Sequence, residues 1–490
     1  MAGRTIPYGV PESAFDVVVA GGGLSGLSVA AAVSRHLPGA RILCLEADAR
    51  PGGVIGTVSD RGFLIESGPA GFLDKTGSVR RLAASLGIEG ELIASDDSQR
   101  VRWISHNGRL ERFPSSIREF LTSNLLSARG KLRMLTEPLR SSGAGEETVA
   151  SFATRRLGKE AAELMVDPIV SGIYAADASQ LSLQASMPHL AALEKKKKSL
   201  LVSFLRASGT VRPLMSFRGG CAQLVSALRE RLDGAPNGAI ECESPVEEIV
   251  QVGGGYIVRI GGTRPRQVRC RSVISAAPAH AASRYLKSVD PEIAFQLAQV
   301  RYASVAVVAL GYRVADVPRP LTGFGYLVPG REGTPVLGVQ WSSSIYPGHR
   351  APKDACLLRL FLGGAPAPML ARQDEESLAA LAREELEKTL GITAPPALCH
   401  VKRHLEAMPQ YLVEHNDRVA DITRRAGEHA GLFVGGNGLR GLGMDAIVSD
   451  AEILGRAATD YTRSAPTQIT RREPAAERAN PEAKQRKGWQ

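Results

Sequence analysis

Apolar and polar positions along the chain first mark out a strand, a turn and a helix. Val17–Ala20 is a β-branched run that stops at three consecutive glycines, and the Ala/Leu/Ser/Val segment after Gly23 has helical character. Ala40–Glu46, ARILCLE, is a second apolar strand ending on an acid. Strand, glycine turn, helix and strand make a βαβ unit, right-handed by default. From about Ser78 to Leu205 the pattern is Arg/Leu-rich and reads as helical, broken at Gly108, Pro114, Pro138 and Gly172. Val246–Ile260 alternates on both sides of a glycine turn and predicts a hairpin. A short strand ending at Ala277–Pro278 follows, then a strand-rich stretch over Tyr302–Phe361 and an amphipathic helix over Glu375–Leu390. Gly431–Ala458 again reads strand, glycine loop, helix, and no internal repeat is present. Nucleotide-binding patterns at both ends of the chain imply one cofactor domain assembled from distant segments.

Composition narrows the setting. At 490 residues and 44% apolar the chain is long enough for several globular domains. Asp16–Val33 is seventeen uncharged residues behind one acid, but four glycines and two serines split the middle of it, which speaks against a spanning helix. Met1–Phe15 carries an acid and prolines rather than a basic leader, so a cytoplasmic protein is expected. Six cysteines without a C-x-x-C pair point to reduced thiols. The net charge of +10 favours anionic partners, although part of it sits in the polar segment 463–490, which is expected to be disordered. No nucleic-acid recognition motif accompanies the charge, and nucleic acid is not an expected partner.

The glycine turn carries the first chemistry. In Gly21-x-Gly23-x-x-Gly26 the first glycine permits the tight turn, the second lets backbone approach a pyrophosphate, and the third lets helix and strand pack closely. Glu46 lies twenty residues past Gly26, where a carboxylate accepts hydrogen bonds from a ribose diol. Then come Arg50, the pair Gly52-Gly53, and Glu66–Phe72, ESGPAGF, while GNGLRGLGM stands at Gly436–Met444.

These segments resemble those of flavoproteins of the amine oxidase and phytoene desaturase superfamily. Within it the chain is similar to the oxygen-dependent protoporphyrinogen oxidase family, from Asp16 to about Ala458. The residues that carry the likeness include GPAGFLD (Gly68–Asp74), VRWISHNGRLERFP (Val101–Pro114), DPIVSGIYAADASQLSL (Asp167–Leu183), GFGYLVP (Gly323–Pro329) and MPQY (Met408–Tyr411). The resemblance implies an α/β protein with three parts. These are a discontinuous Rossmann-like FAD-binding domain (15–90, 215–285, 425–462), a helical membrane-associating domain (91–214) and a mixed-sheet substrate domain (286–424). It implies non-covalent FAD held by Gly21, Gly22, Gly23, Leu24, Ser25 and Gly26, by Glu46, Ala47, Arg50, Gly53 and Val54, and by Gly68, Pro69, Ala70 and Gly71. Val246, Asn437, Leu442, Gly443 and Met444 complete that set.

By the same likeness Arg102 pairs with a substrate propionate, the Gly172 carbonyl lies near the macrocycle, Phe324 and Leu327 sandwich its rings, and Phe361 forms the pocket wall. Departures from the family pattern are Gln340 in place of an aliphatic residue, Ala176 in place of glycine, and no cysteine near Ile447. The implied reaction is oxidation of protoporphyrinogen IX by O2, in three two-electron passes with release of H2O2. The flavin carries that chemistry, so no catalytic acid or base is expected.

Alternatives stay open at this point: a coproporphyrinogen III oxidase of the same family, a flavin amine oxidase, or a flavin-bearing scaffold. Cys399, His400 and His404 lack a further ligand at usable spacing, so no metal is expected. Lys195–Lys198 and the helix expected over Leu121–Arg140 read either as ordinary solvated and core-facing surface or as a contact with anionic lipid on the cytoplasmic face of the cell membrane. A homodimer is entertained as the assembly.

Overall fold

The computed structural model describes residues 13–464 apart from 97, 99, 100, 144, 197, 198 and 201–211. Lys197, Lys198, the end of the expected helical region and nearly all of the expected tail therefore lie outside the described residues. Fourteen strands form two seven-stranded sheets. In chain order they are β1 (Ser13–Ala20), β2 (Ile42–Leu45), β3 (Arg102–His106), β4 (Arg109–Arg112) and β5 (Gly238–Glu241). Next come β6 (Val246–Val252), β7 (Gly255–Ile260), β8 (Arg266–Ser275), β9 (Tyr302–Arg313) and β10 (Gly325–Leu327). The last four are β11 (Val336–Trp341), β12 (Ala355–Gly363), β13 (Leu398–Pro409) and β14 (Leu432–Val434).

The first sheet runs β5-β2-β1-β8-β7-β6, with β14 also pairing β8. Its β5, β2, β1, β8 and β14 are mutually parallel, and β6 and β7 are the expected hairpin. Val17, Val18 and Val19 are fully buried, as a parallel strand covered on both faces requires. The helix after the turn, α1 (Leu24–His36), buries every residue from Leu24 to Val33, which explains why this stretch is apolar without crossing a membrane. Among the described residues no helix is long and apolar enough to cross one. Its outer face is covered by the C-terminal helix α6 (Met444–Ser464), where a Cβ on Gly455 would lie 2.6 Å from the Ala32 Cβ. Small residues let these two helices approach closely.

The second sheet runs β13-β9-β12-β11-β10-β3-β4. One face buries Val308, Leu310, Tyr326, Val339, Leu358, Leu360 and Leu362 against α5 (Glu375–Leu390), through Leu378, Ala382 and Leu386. That helix is the expected amphipathic one: Asp374 caps it by accepting from the Ser377 N–H (2.8 Å) and Gly391 ends it.

Two helical expectations need correction. The Arg/Leu-rich stretch contains β3 and β4, a hairpin whose His106↔Arg109 pairing leaves a two-residue loop of Asn107 and Gly108, with φ of +51° and +73°. Asn-Gly is the strongest short hairpin signal, and it outweighs Arg/Leu content. The hairpin joins the second sheet through β10, so that sheet draws strands from inside 91–214. The single helix expected over Leu121–Arg140 is instead three short pieces, Ile117–Thr122, Ala128–Leu135 and Glu137–Leu139, the first two capped by Ser116 and Ser127. Cys399, His400 and His404 lie on β13, where four residues span roughly 13 Å, so the histidines do not converge as on a helix.

Candidate active site

Five parallel strands of the first sheet end at one edge, and the three glycine loops gather there. Gly21 has φ +106°, and a Cβ on it would sit 2.8 Å from the Ala277 nitrogen just past β8. A Cβ on Gly26 would fall 1.8 Å from the Gly21 carbonyl oxygen, so this position keeps the helix closed over the turn. Gly23 differs, because a Cβ there would meet nothing within 4 Å. Open space thus lies before the α1 N-terminus, and the neighbouring Ser25 hydroxyl is buried without a hydrogen-bond partner. Helix N–H groups, an orphan hydroxyl and a cradle that a Cβ would fill suit a pyrophosphate.

Glu46 fixes the turn from the end of β2. Its Oε2 accepts from the Gly22 N–H (2.8 Å) and its Oε1 from the Asp48 N–H (2.9 Å). Burial raises its pKa against the pull of these bonds. Ala47 beside it is exposed, and the Ser244 N–H donates to the Glu46 carbonyl (2.8 Å), bringing Val246 to the same edge. The second glycine loop abuts the first: the Gly52 N–H donates to Gly22 O (2.8 Å), and a Cβ on Gly53 would lie 3.6 Å from Gly23 Cα. Arg50 braces this loop by donating to Ile55 O (2.8 Å) and Gly53 O (3.2 Å). Val54 backs on Gly68, whose Cβ would come within 2.0 Å of the Val54 oxygen. Pro69 follows, Ser216 Oγ holds the Ala70 carbonyl (2.8 Å), and a Cβ on Gly71 would strike Met215 O at 2.4 Å.

The third loop returns from the C-terminus. Gly435 N–H donates to Ser275 O (2.9 Å), the Tyr411 hydroxyl holds the Asn437 carbonyl (2.5 Å), and Leu442 packs on the helical cluster around Phe152. Gly443 faces open space immediately before Met444 begins α6. Asp445 then reaches across the cleft. It accepts from the N–H groups of Lys75 (3.0 Å), Thr76 (2.7 Å), Ser78 (2.9 Å) and Val79 (3.3 Å), so it caps helix α2 (Ser78–Ser85). Burial opposes ionisation of Asp445, but the bonds from Thr76, Val79 and Ser78 prevail and lower its pKa.

Strand register puts three of the expected substrate residues on one face of the second sheet. Leu327 pairs with Gly338, and Gly338 with Phe361. One step along, Arg102 pairs with Gly325, Gly325 with Gln340, and Gln340 with Arg359. Alternate residues of a strand share a face, so Arg102, Leu327 and Phe361 lie together, opposite the side packed on α5. Gly172, on helix α3 (Asp167–Tyr174), closes on the same row: a Cβ there would fall 2.4 Å from Leu327 Cδ2. Phe324 is set apart from Leu327, packing with Ile93, Tyr346 and Ile345, and the Arg102 guanidinium stands 5.7 Å from its ring centroid.

The expected set did not include Arg359. It is 1% exposed, donates to Gln340 Oε1 (2.8 Å) and to the Gly68 carbonyl, and lies 5.2 Å from the Phe361 ring centroid. Burial lowers its pKa to about 10 despite the nearby Glu66. The unusual Gln340 thus has a partner: it accepts from a buried cation that joins the Gly68 loop to the sheet face holding Arg102, Leu327 and Phe361. His404 makes a second such tie, its Nε2 2.6 Å from Ser67 O. One signal for Arg359 was legible: a charge in the otherwise apolar run Cys356–Leu362.

Parallel strands that end at this turn, with their glycines gathered at one edge, define a dinucleotide-binding α/β protein. Residues 24–450 match the flavin containing amine oxidoreductase family, and the chain belongs to that family. Its cofactor is FAD. Chloroplastic protoporphyrinogen oxidase of Nicotiana tabacum is 29% identical over 92% of this chain and 87% of its own length. Protoporphyrinogen oxidase 1 of Spinacia oleracea is 30% identical over 91% of this chain and 84% of its own. Coproporphyrinogen III oxidase of Bacillus subtilis is 28% identical over 89% and 97%. A structure named for protoporphyrinogen oxidase from Exiguobacterium sp. 255-15 shares the fold with TM-score 0.80, at 24% identity, over 92% of this chain and 99% of that one.

Proposed function

We propose that the protein oxidises protoporphyrinogen IX to protoporphyrin IX with O2, releasing H2O2, in porphyrin synthesis. The observation that carries this reading is the single sheet face shared by Arg102, Leu327 and Phe361, with Arg359 tying it to the Gly68 loop. An apolar disc bearing carboxylates fits leucine and phenylalanine walls with a guanidinium at the edge. FAD, when bound, accepts the electron pairs and passes them to O2. The chain's part is to hold the macrocycle flat against Leu327 and Phe361, with the Gly172 carbonyl beside it, while Arg102 anchors a propionate. The cofactor is held by the turns at Gly21–Gly26, Gly52–Gly53 and Gly68–Gly71, with Glu46 at the ribose.

The Bacillus subtilis relative supports a second reading, coproporphyrinogen III as substrate. Steady-state rates on the two porphyrinogens separate them, and equal or faster turnover of coproporphyrinogen overturns the first. Bleaching of the bound-flavin absorption on anaerobic addition of protoporphyrinogen tests the enzyme reading against an amine oxidase or a scaffold.

The reading extends to peripheral contact with a membrane. Ile117, Leu121, Leu132, Leu135 and Leu139 are exposed between 44% and 86%, interleaved with Arg118, Arg129, Lys131 and Arg140. Apolar tips among cations suit an anionic lipid surface.

A further inference from the structure

Behind the dinucleotide turn, α1, α2 and α6 surround a cavity of about 330 Å3 that opens to solvent. Three packed helices ordinarily interlock apolar side chains. Here the facing stripes bring Ser28 and Arg35 from α1, Ser78 and Arg81 from α2, and Glu452 and Arg456 from α6, with only Leu82 and Val448 as an apolar floor. Ser28 is 4% exposed, lines the cavity, and its hydroxyl has no hydrogen-bond partner. Such an orphan is unfavourable unless something fills the space and bonds to it.

The charge around the cavity is unbalanced. Glu452 faces three guanidinium groups and already accepts from His36 (2.8 Å), from Arg456 (2.9 Å) and from Arg35. Arg81 is held in place by bonds to Thr76 O (2.9 Å) and Ser78 Oγ (3.1 Å), so little entropy is lost when it takes a ligand. The volume lies at the lower end for ligand pockets, which suits a compact molecule and excludes a macrocycle or a second dinucleotide.

We propose that this cavity binds a small organic anion, a phosphate monoester or carboxylate whose apolar group rests on Leu82 and Val448. Arg35, Arg81 and Arg456 take its charge, and the Ser28 hydroxyl bonds to it. The site goes beyond the oxidase reading and requires no particular porphyrinogen. It is not isolated from the cofactor, because α1 begins at the glycine turn and Asp445 joins the N-termini of α2 and α6. A ligand that clamps the three helices binds the folded form alone, so it raises the melting temperature and slows flavin loss.

Calorimetric titration of the FAD-saturated holoenzyme with phenyl phosphate, benzoate and phenol tests this. At least one of the two anions is expected to bind one to one with the flavin spectrum unchanged, and phenol to give no heat. Whichever anion binds identifies the headgroup. Ser28→Leu fills the cavity floor and should weaken binding at least about tenfold. Arg456→Gln, at a largely exposed side chain, should do the same and reduce the salt dependence. Silence from both anions, equal binding of phenol, displacement of FAD, or indifference to both variants overturns the proposal.

Discussion

Arg359 is a cation in a strand whose neighbours are apolar, and it survives there because three groups surround it. Gln340 and the Gly68 carbonyl accept its protons, and Phe361 covers its face. Removing one side of such an arrangement should cost more than removing both. Arg359→Met is expected to destabilise by about 3–5 kcal/mol in urea unfolding. The Gln340→Leu/Arg359→Met pair should recover part of that, since the Gln340 amide is then not left without its donor. Arg102 behaves differently because it is exposed. Arg102→Ala should raise KM for the porphyrinogen about tenfold, leaving flavin content and kcat nearly unchanged. An unchanged KM would remove Arg102 from the substrate site.

At the level of helices and strands, the Asp445 clasp makes α2 and α6 one unit. A depressed carboxyl pKa contributes stability that is full above the unfolded value, near pH 4, and disappears as pH falls through the folded one. Asp445→Asn should therefore lower stability by about 1–3 kcal/mol at pH 7, with the gap to wild type closing in acid. Unfolding curves at pH 7 and pH 3 check both halves. The helices and strands also show where sequence reading succeeds and fails. The βαβ unit and the helix Glu375–Leu390 were legible because one hydrophobic period held throughout each of them. The β3–β4 hairpin was passed over because its signal was two residues, Asn107 and Gly108, inside an Arg/Leu-rich stretch. The Asp445 clasp left no local signal, since its partners lie 366 to 370 residues away.

For the molecule as a whole, the glycine loops were readable as a cofactor domain assembled from distant segments because each loop carries its own pattern. How the second sheet faces them was not readable, since strand register, and not composition, places Arg102 beside Gly325 and Phe361 beside Gly338. If the exposed leucines meet lipid, Leu132→Ser with Leu139→Ser should cut co-sedimentation with anionic vesicles severalfold while detergent-assayed turnover stays level. Equal sedimentation would place the contact elsewhere. The pairing of β1 with β8, and of β8 with β14, has a further result during synthesis. Val17–Ala20 finds one neighbour, β2, close behind it in the chain, but its other neighbour is β8, where Val17 pairs with Ser272, and the helix covering α1 comes later still. Until then one edge of β1 and the outer face of α1 have no native cover, and these are what a nascent-chain chaperone would need to shield.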